Sequence, residues 1–248
     1  MIIIFVILLI TLIFYKRKRV SKYVSKKTKV PIFTQGLIVT GENMIESGGL
    51  YKESKIIEYS LTNHKKIIRT LVLDKKIFAE GITKINNELF LLTWKEDKAF
   101  IIDYDTFKIK KEIENFNSNL DSNEGWGCTY DTNKNEIIVS DGTHKIYFID
   151  PITYLKKREI KTKYKLLNEL EYINGFIYAN IWKTNKIVKL DPQTGNCLQE
   201  FNININIKLK DRFKGVLNGI AYDQVQNKIY LTGKNWSTMY SLPLDHLK

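Results

Sequence analysis

The chain has 248 residues, 44% of them hydrophobic, enough to build a substantial core within one domain. Its formal net charge of +12 invites a nucleic-acid reading, but eight of the 39 basic residues lie between Lys16 and Lys29, where no Asp or Glu occurs, and the other 31 stand against 27 acidic residues. A nucleic-acid binder carries its charge as a stripe on the folded face, so no nucleic-acid partner is expected.

The first fifteen residues, MIIIFVILLITLIFY, contain no charged side chain. As a helix they span about 22 Å, short for a bilayer core of roughly 30 Å. No Lys or Arg precedes them and no small-x-small cleavage site follows, so a hydrophobic signal-anchor helix over 1–15 fits better than a cleaved signal peptide. The competing reading, a buried apolar helix of the domain, is opposed by the basic and polar residues that follow. Association with the membrane through this segment is expected, in the secretory pathway or endomembrane system. The positive-inside rule favours a cytoplasmic basic flank but leaves the side of the membrane open.

Residues 16–30 read as a basic linker. From Pro31 the texture changes to short runs of Val, Ile, Tyr and Phe alternating with polar residues, as in KIYFID and KIVKLD. Nothing resembles a long amphipathic helix; one short helical piece is expected near Lys208 to Phe213. Cys128 and Cys197 form no CxxC pair, and His64, His144 and His246 lack zinc-ligand spacing, so no metal-ligand set is expected. The sequon Asn235-Trp236-Ser237 is too short a match to argue glycosylation.

Self-similarity is the strongest signal along 31–248. FTQGLI, FAEGIT, SNEGWG, LLNELE and VLNGIA each place Gln, Glu or Asn at the head of an apolar run. The polar positions are Gln35, Glu80, Glu124, Asn168 and Asn218, separated by 45, 44, 44 and 50 residues. A second set, the turns YSLTN, DYDTF, DPITY and DPQTG, keeps the same period: Thr62, Thr106, Thr153 and Thr194 are 44, 47 and 41 apart. A period of roughly 40–50 residues with four strands each predicts an all-β, five-bladed β-propeller. An irregular β-sandwich would not produce two phase-locked repeats.

If each polar element opens the innermost strand of a blade, the five residues ring one mouth of the central channel. Such a ring can be purely architectural; two carboxylates, Glu80 and Glu124, at one mouth repel unless something pairs or uses them. A second rank follows one hairpin later: Glu46, Trp94, Asp141, Asn180 with Trp182, and Lys234 with Trp236. A lone tryptophan on a strand more often fills core. Four of them, with Trp126 in the first rank, beside Glu, Asn and Lys look more like a ligand pocket. No Ser-His-Asp set, Cys-His pair or phosphate-binding glycine loop accompanies them. What remains is a carboxyl group desolvated by aromatic neighbours, able to hold and pass a proton near neutral pH, with Lys and Asn as donors to a carbonyl or oxyanion.

In this order, FTQGL, ESGGLY, FAEGIT, LTWK, EGWG, SDGT, LNELEYINGFIYANIW, DPQTG, VLNGIAYD and TGKNW closely resemble the plant and bacterial type of glutaminyl-peptide cyclotransferase, over roughly residues 32–245. The resemblance implies a five-bladed propeller that converts the N-terminal glutamine of peptides or proteins to pyroglutamate and releases ammonia. It implies that Glu80, the acid of the F-x-E-G motif, is the general acid/base. By motif it places Phe33, Gln35, Phe78, Trp94, Trp126, Asn168, Trp182 and Lys234 around the substrate, with Asn218 and Glu169 in structural roles. It implies no catalytic metal and no required cofactor, and is compatible with a structural calcium ion in the channel. Ala79 stands where the pattern has Gly, which is expected to crowd the catalytic strand slightly, and Cys128 stands where an aliphatic residue is usual. The alternative is a catalytically silent propeller that binds peptides or scaffolds a partner at a membrane. A further one is a propeller hydrolase whose polar ring imitates a metal-ligand cluster.

Overall fold

In the computed structural model, residues 24–203 and 207–247 are described. They form five four-stranded antiparallel sheets, four of them meanders of consecutive strands and the fifth closed by the N-terminal strand. Blade 1 is β2 (Thr34–Thr40), β3 (Asn43–Gly48), β4 (Lys55–Ser60) and β5 (Ile67–Val72). Blade 2 is β6 (Ala79–Ile85), β7 (Glu88–Thr93), β8 (Lys98–Asp103) and β9 (Lys108–Glu114). Blade 3 is β10 (Cys128–Asp131), β11 (Glu136–Ser140), β12 (Lys145–Ile149) and β13 (Lys156–Lys161). Blade 4 is β14 (Leu167–Ile173), β15 (Phe176–Ile181), β16 (Lys186–Leu190) and β17 (Cys197–Asn202). Blade 5 is β18 (Leu217–Asp223), β19 (Lys228–Gly233) and β20 (Thr238–Pro243), completed on its outer edge by β1 (Ser25–Thr28). The predicted short helix is present as α1 (Leu209–Arg212), in the connection between blades 4 and 5.

Burial follows the radial position of each strand. The first strands of the blades are almost wholly buried, as in β2 and β6, because neighbouring blades cover both faces. The fourth strands are mostly exposed and charged, as in KIKKEIE of β9. The apolar faces meet in five clusters, one at each interface between adjacent blades. Ile38, Ile82 and Phe100 join blades 1 and 2, and Leu217, Ile220 and Tyr178 join blades 4 and 5. The turn repeat is a capping device between third and fourth strands. Asp103, Asp150 and Asp191 each accept the backbone N–H of the threonine three residues on, Thr106, Thr153 and Thr194, at 2.8–2.9 Å.

The first strands share a kink at their inner ends. The register shifts between Thr34 and Gly36, Ala79 and Ile82, Leu167 and Leu170, and Leu217 and Ile220. There the backbones of successive blades come into contact. A Cβ on Gly36 would lie 2.5 Å from the Ile82 nitrogen, one on Gly81 2.4 Å from the Cys128 nitrogen, and one on Gly127 2.0 Å from the Asn168 oxygen. The Gly81 N–H donates to the Trp126 carbonyl at 2.7 Å. These contacts correct the ring in blade 3: the residue equivalent to Gln35 and Glu80 is Trp126, ahead of Gly127, and Glu124 lies two residues earlier in the loop. Ala79 is wholly buried and belongs to the core cluster between blades 1 and 2.

The ring is closed by the N-terminal strand. β1 pairs antiparallel with β20 from Ser25 opposite Ser241 to Thr28 opposite Thr238. Just beyond it, the buried Lys29 ammonium donates to Glu46 Oε1 at 2.8 Å, and Glu46 also accepts from Thr34 Oγ1 at 2.5 Å and Tyr59 Oη at 2.8 Å. The propeller therefore takes in Ser25–Thr28, which fall within the 16–30 segment expected as linker. The apolar segment 1–15 and linker residues 16–23 lie outside the described residues. Among the described residues no helix is long and apolar enough to cross a membrane.

Candidate active site

The inner ends of β2 and β6 place Gln35 and Glu80 side by side. Gln35 Nε2 donates to Glu80 Oε1 at 2.7 Å, and Asn218 Nδ2, from the start of β18, donates to Gln35 Oε1 at 3.2 Å and to the Thr34 carbonyl at 2.9 Å. An amide chain thus runs from blade 5 through blade 1 to the Glu80 carboxyl. Ser47 Oγ donates to the Glu80 carbonyl at 2.5 Å, fixing the backbone behind it. Glu80 is 4% exposed, and desolvation raises its pKa well above the ordinary carboxylate range; the attraction of Lys234 opposes the rise, while Glu96 and Glu124 add to it. Lys234 is buried too, and its pKa is lowered by desolvation against the pull of Glu80.

Around these groups the aromatic side chains close a collar. Phe33 meets Phe78 edge-on with ring centres 6.2 Å apart, and Phe78 meets Trp94 at 5.3 Å. Trp94 and Trp126 both donate their indole N–H to Glu124 Oε2, at 2.8 and 2.9 Å. Trp126 meets Trp182 edge-on at 5.5 Å. The Lys234 ammonium sits 5.7 Å from the Trp182 ring centre and 4.8 Å from that of Phe33, which completes the circuit. Every blade contributes to this collar or to the amides beneath it.

Glu124 therefore does not act as a second ring carboxylate. The two indoles and the Lys95 ammonium, at 3.2 Å, hold its pKa below the ordinary range although desolvation opposes this. It is an ionised buttress that fixes two tryptophans; Lys95 pairs its charge, which still adds to the rise at Glu80. Trp236 also departs from expectation. It is 1% exposed, donates to the Gly215 carbonyl at 3.0 Å and packs on Tyr240, so it is core and three of the four tryptophans form the collar. Tyr51 is a mouth residue that the sequence reasoning passed over. Its ring lies 5.4 Å from Phe78 and 6.5 Å from Trp94, and desolvation together with Glu96 pushes its pKa up to about 12. Its only signal is its place at the end of ESGGLY.

Asn168 opens β14 and is 3% exposed; its Oδ1 has no hydrogen-bond partner among the described residues. Glu169, next to it, reaches across the channel. Its Oε1 accepts from the Leu37 N–H at 3.3 Å and its Oε2 from the Ile220 N–H at 2.7 Å, tying blade 4 to blades 1 and 5. Glu171 likewise accepts from the Tyr222 N–H and from Thr129 Oγ1. These oxygens are engaged by N–H and O–H donors, and among the described residues no three His, Cys, Asp or Glu side chains converge on one point.

Comparison with known proteins agrees with the five-bladed fold. The sequence model of the glutamine cyclotransferase family matches residues 15–244. A glutaminyl-peptide cyclotransferase of Arabidopsis thaliana is 32% identical over 222 residues, covering 86% of this chain and 67% of the relative. The crystal structure of Myxococcus xanthus glutaminyl cyclase superposes with a TM-score of 0.78 at 26% identity, over 89% of this chain and 94% of that one. The hydrazine synthase of Kuenenia stuttgartiensis, at 15% identity and a TM-score of 0.51 over 85% of this chain and 58% of that one, shares the fold alone.

Proposed function

The chain belongs to the glutamine cyclotransferase family, and we propose on that basis that it cyclises the N-terminal glutamine of peptides or proteins to pyroglutamate, with Glu80 carrying the proton. The observation that carries the reading is the Glu80 carboxyl itself, buried beneath an aromatic collar and held by Gln35. The α-amine nitrogen attacks the side-chain amide carbon of the same residue. Both groups belong to one residue, so the pocket need only hold them in a reactive conformer. The amine gives its proton to Glu80; Glu80 returns it to the amide nitrogen, the carbon–nitrogen bond breaks, ammonia departs and the ring carbonyl re-forms. A carboxyl whose pKa burial has raised is a stronger base than an ordinary carboxylate and takes and returns the proton more readily.

The other groups divide the remaining work. Gln35 occupies Glu80 Oε1, which leaves Oε2 for the transfer. Lys234, the buried cation beside Glu80, stabilises the charge that builds on the amide oxygen. Asn168 Oδ1, a buried acceptor without a donor among the described residues, fits an N–H of the bound glutamine. Phe33, Phe78, Trp94, Trp126 and Trp182 shape the pocket and exclude water. No step in this scheme is assigned to a metal.

Mass spectrometry of a Gln-Ala dipeptide incubated with the protein, with and without a chelator, tests the reading. Expected is the loss of one ammonia from the peptide, unchanged by the chelator and absent with Glu80→Gln. A wild-type protein that is folded and leaves the dipeptide unchanged would support the silent peptide-binding propeller instead.

A further inference from the structure

A cleft of about 200 Å³ opens beside the collar, between the β15–β16 turn and the connection that carries α1; Lys183, Arg212, Gly215, Val216 and Trp236 are among its lining. It adjoins the pocket on two sides. Lys183 follows the collar residue Trp182 and its ammonium lies 4.3 Å from that indole, while the Val216 carbonyl accepts the Lys234 N–H at 2.9 Å. The geometry points to this cleft as the subsite for the residues that follow the N-terminal glutamine, with Lys183 and Arg212 selecting acidic side chains there. This rests on the function proposed above.

Charge around the mouth is divided. Glu96 and Glu124 act on Glu80 from the side of blades 2 and 3. On the opposite side, the segment Lys208–Lys214 reads KLKDRFK, and its one acid, Asp211, is turned inward, where Oδ1 accepts the N–H and Oγ of Ser237 at 2.9 and 3.0 Å. Lys183 and Arg212 are both exposed, and neither forms a salt bridge among the described residues. An extended peptide advances about 3.5 Å per residue, so the second and third residues come within reach of these two cations. The cleft's volume suits a side chain or two, not a separate ligand.

The test compares kcat/KM for ammonia release from three amidated peptides, Gln-Glu-Glu-Ala, Gln-Ala-Ala-Ala and Gln-Lys-Lys-Ala, in the wild type and in Lys183→Glu and Arg212→Glu. Exposed charge pairs of this kind predict an acidic-over-basic preference of about three- to tenfold in the wild type, shrinking as salt is raised. Each variant should reduce or invert that ratio, which is internal to one preparation and does not depend on the fraction folded. Turnover of all three peptides at equal rates, or a preference that both variants leave unchanged, overturns the inference alone. Turnover of none overturns the parent function and this inference with it.

Discussion

Burial raises the pKa of the Glu80 carboxyl, with Glu96 and Glu124 adding to the rise, and Lys234 opposes it. Lys234 attracts the ionised form, so Lys234→Met raises the Glu80 pKa further above its ordinary range. The acid limb of the kcat/KM profile should then move to higher pH. At the optimum the rate should fall by roughly 10²–10³, the usual loss when a charge-stabilising donor is removed. A titration of kcat/KM against pH checks both. Much of this was legible in the sequence: the motif around Glu80 and the repeat that places Gln35, Asn168 and Asn218 at its mouth. The part that was not concerns residues whose partners are remote in sequence. Glu124 precedes a glycine as Glu80 does, yet the second glycine, Gly127, sets the phase, and only the two indole bonds show Glu124 to be a support. Trp236 looks like Trp94 on paper; its indole faces Gly215, contributed by the preceding connection.

At the scale of the strand, the kinked inner ends predict a sharp contrast between glycines. Gly81→Ala would bring a methyl within 2.4 Å of the Cys128 nitrogen and break the 2.7 Å bond to Trp126. Backbone on both sides leaves no room to yield, and the loss should exceed about 3 kcal/mol. Gly175, in the β14–β15 turn with φ +87°, has nothing within 4 Å, so Gly175→Ala carries only the strain of its left-handed backbone, about 1 kcal/mol. Urea unfolding of the two variants beside the wild type measures the difference. The repeat in polar-Gly elements announced these strands, because the close approach of blades near the axis demands a small residue there. The exposed charged outer strands carry no comparable constraint. β1 was hidden for the same reason: four exposed residues, SKKT, read as more of the basic linker.

The closed ring as a whole depends on the junction between its first and last blades. Lys29→Met removes the cation from a buried pair and leaves Glu46 with only Thr34 and Tyr59, which should destabilise the propeller by roughly 3–5 kcal/mol in denaturant unfolding. His64 sits close by, 2% exposed between Tyr59 and Tyr230, and burial with the nearby Lys27 lowers its pKa to about 4. The unfolded chain binds this proton near pH 6.5 and the folded one does not until about 4. Stability is therefore retained above pH 6.5 and lost as the pH falls toward 4, by on the order of 2 kcal/mol, or roughly 4–8 °C in Tm. His64→Phe should flatten the Tm profile over that window. A residue that lay in the sequence as an isolated histidine acquires this role only once the ring closes on it.

The central claim is that a single buried carboxyl turns this propeller into a glutamine-cyclising enzyme. It is tested most directly by the rate of ammonia release from Gln-Ala at neutral pH, measured on wild type and Glu80→Gln of matched Tm. Turnover by the wild type and a fall of at least about 10² in the variant are predicted. Equal rates from the two proteins would contradict the account.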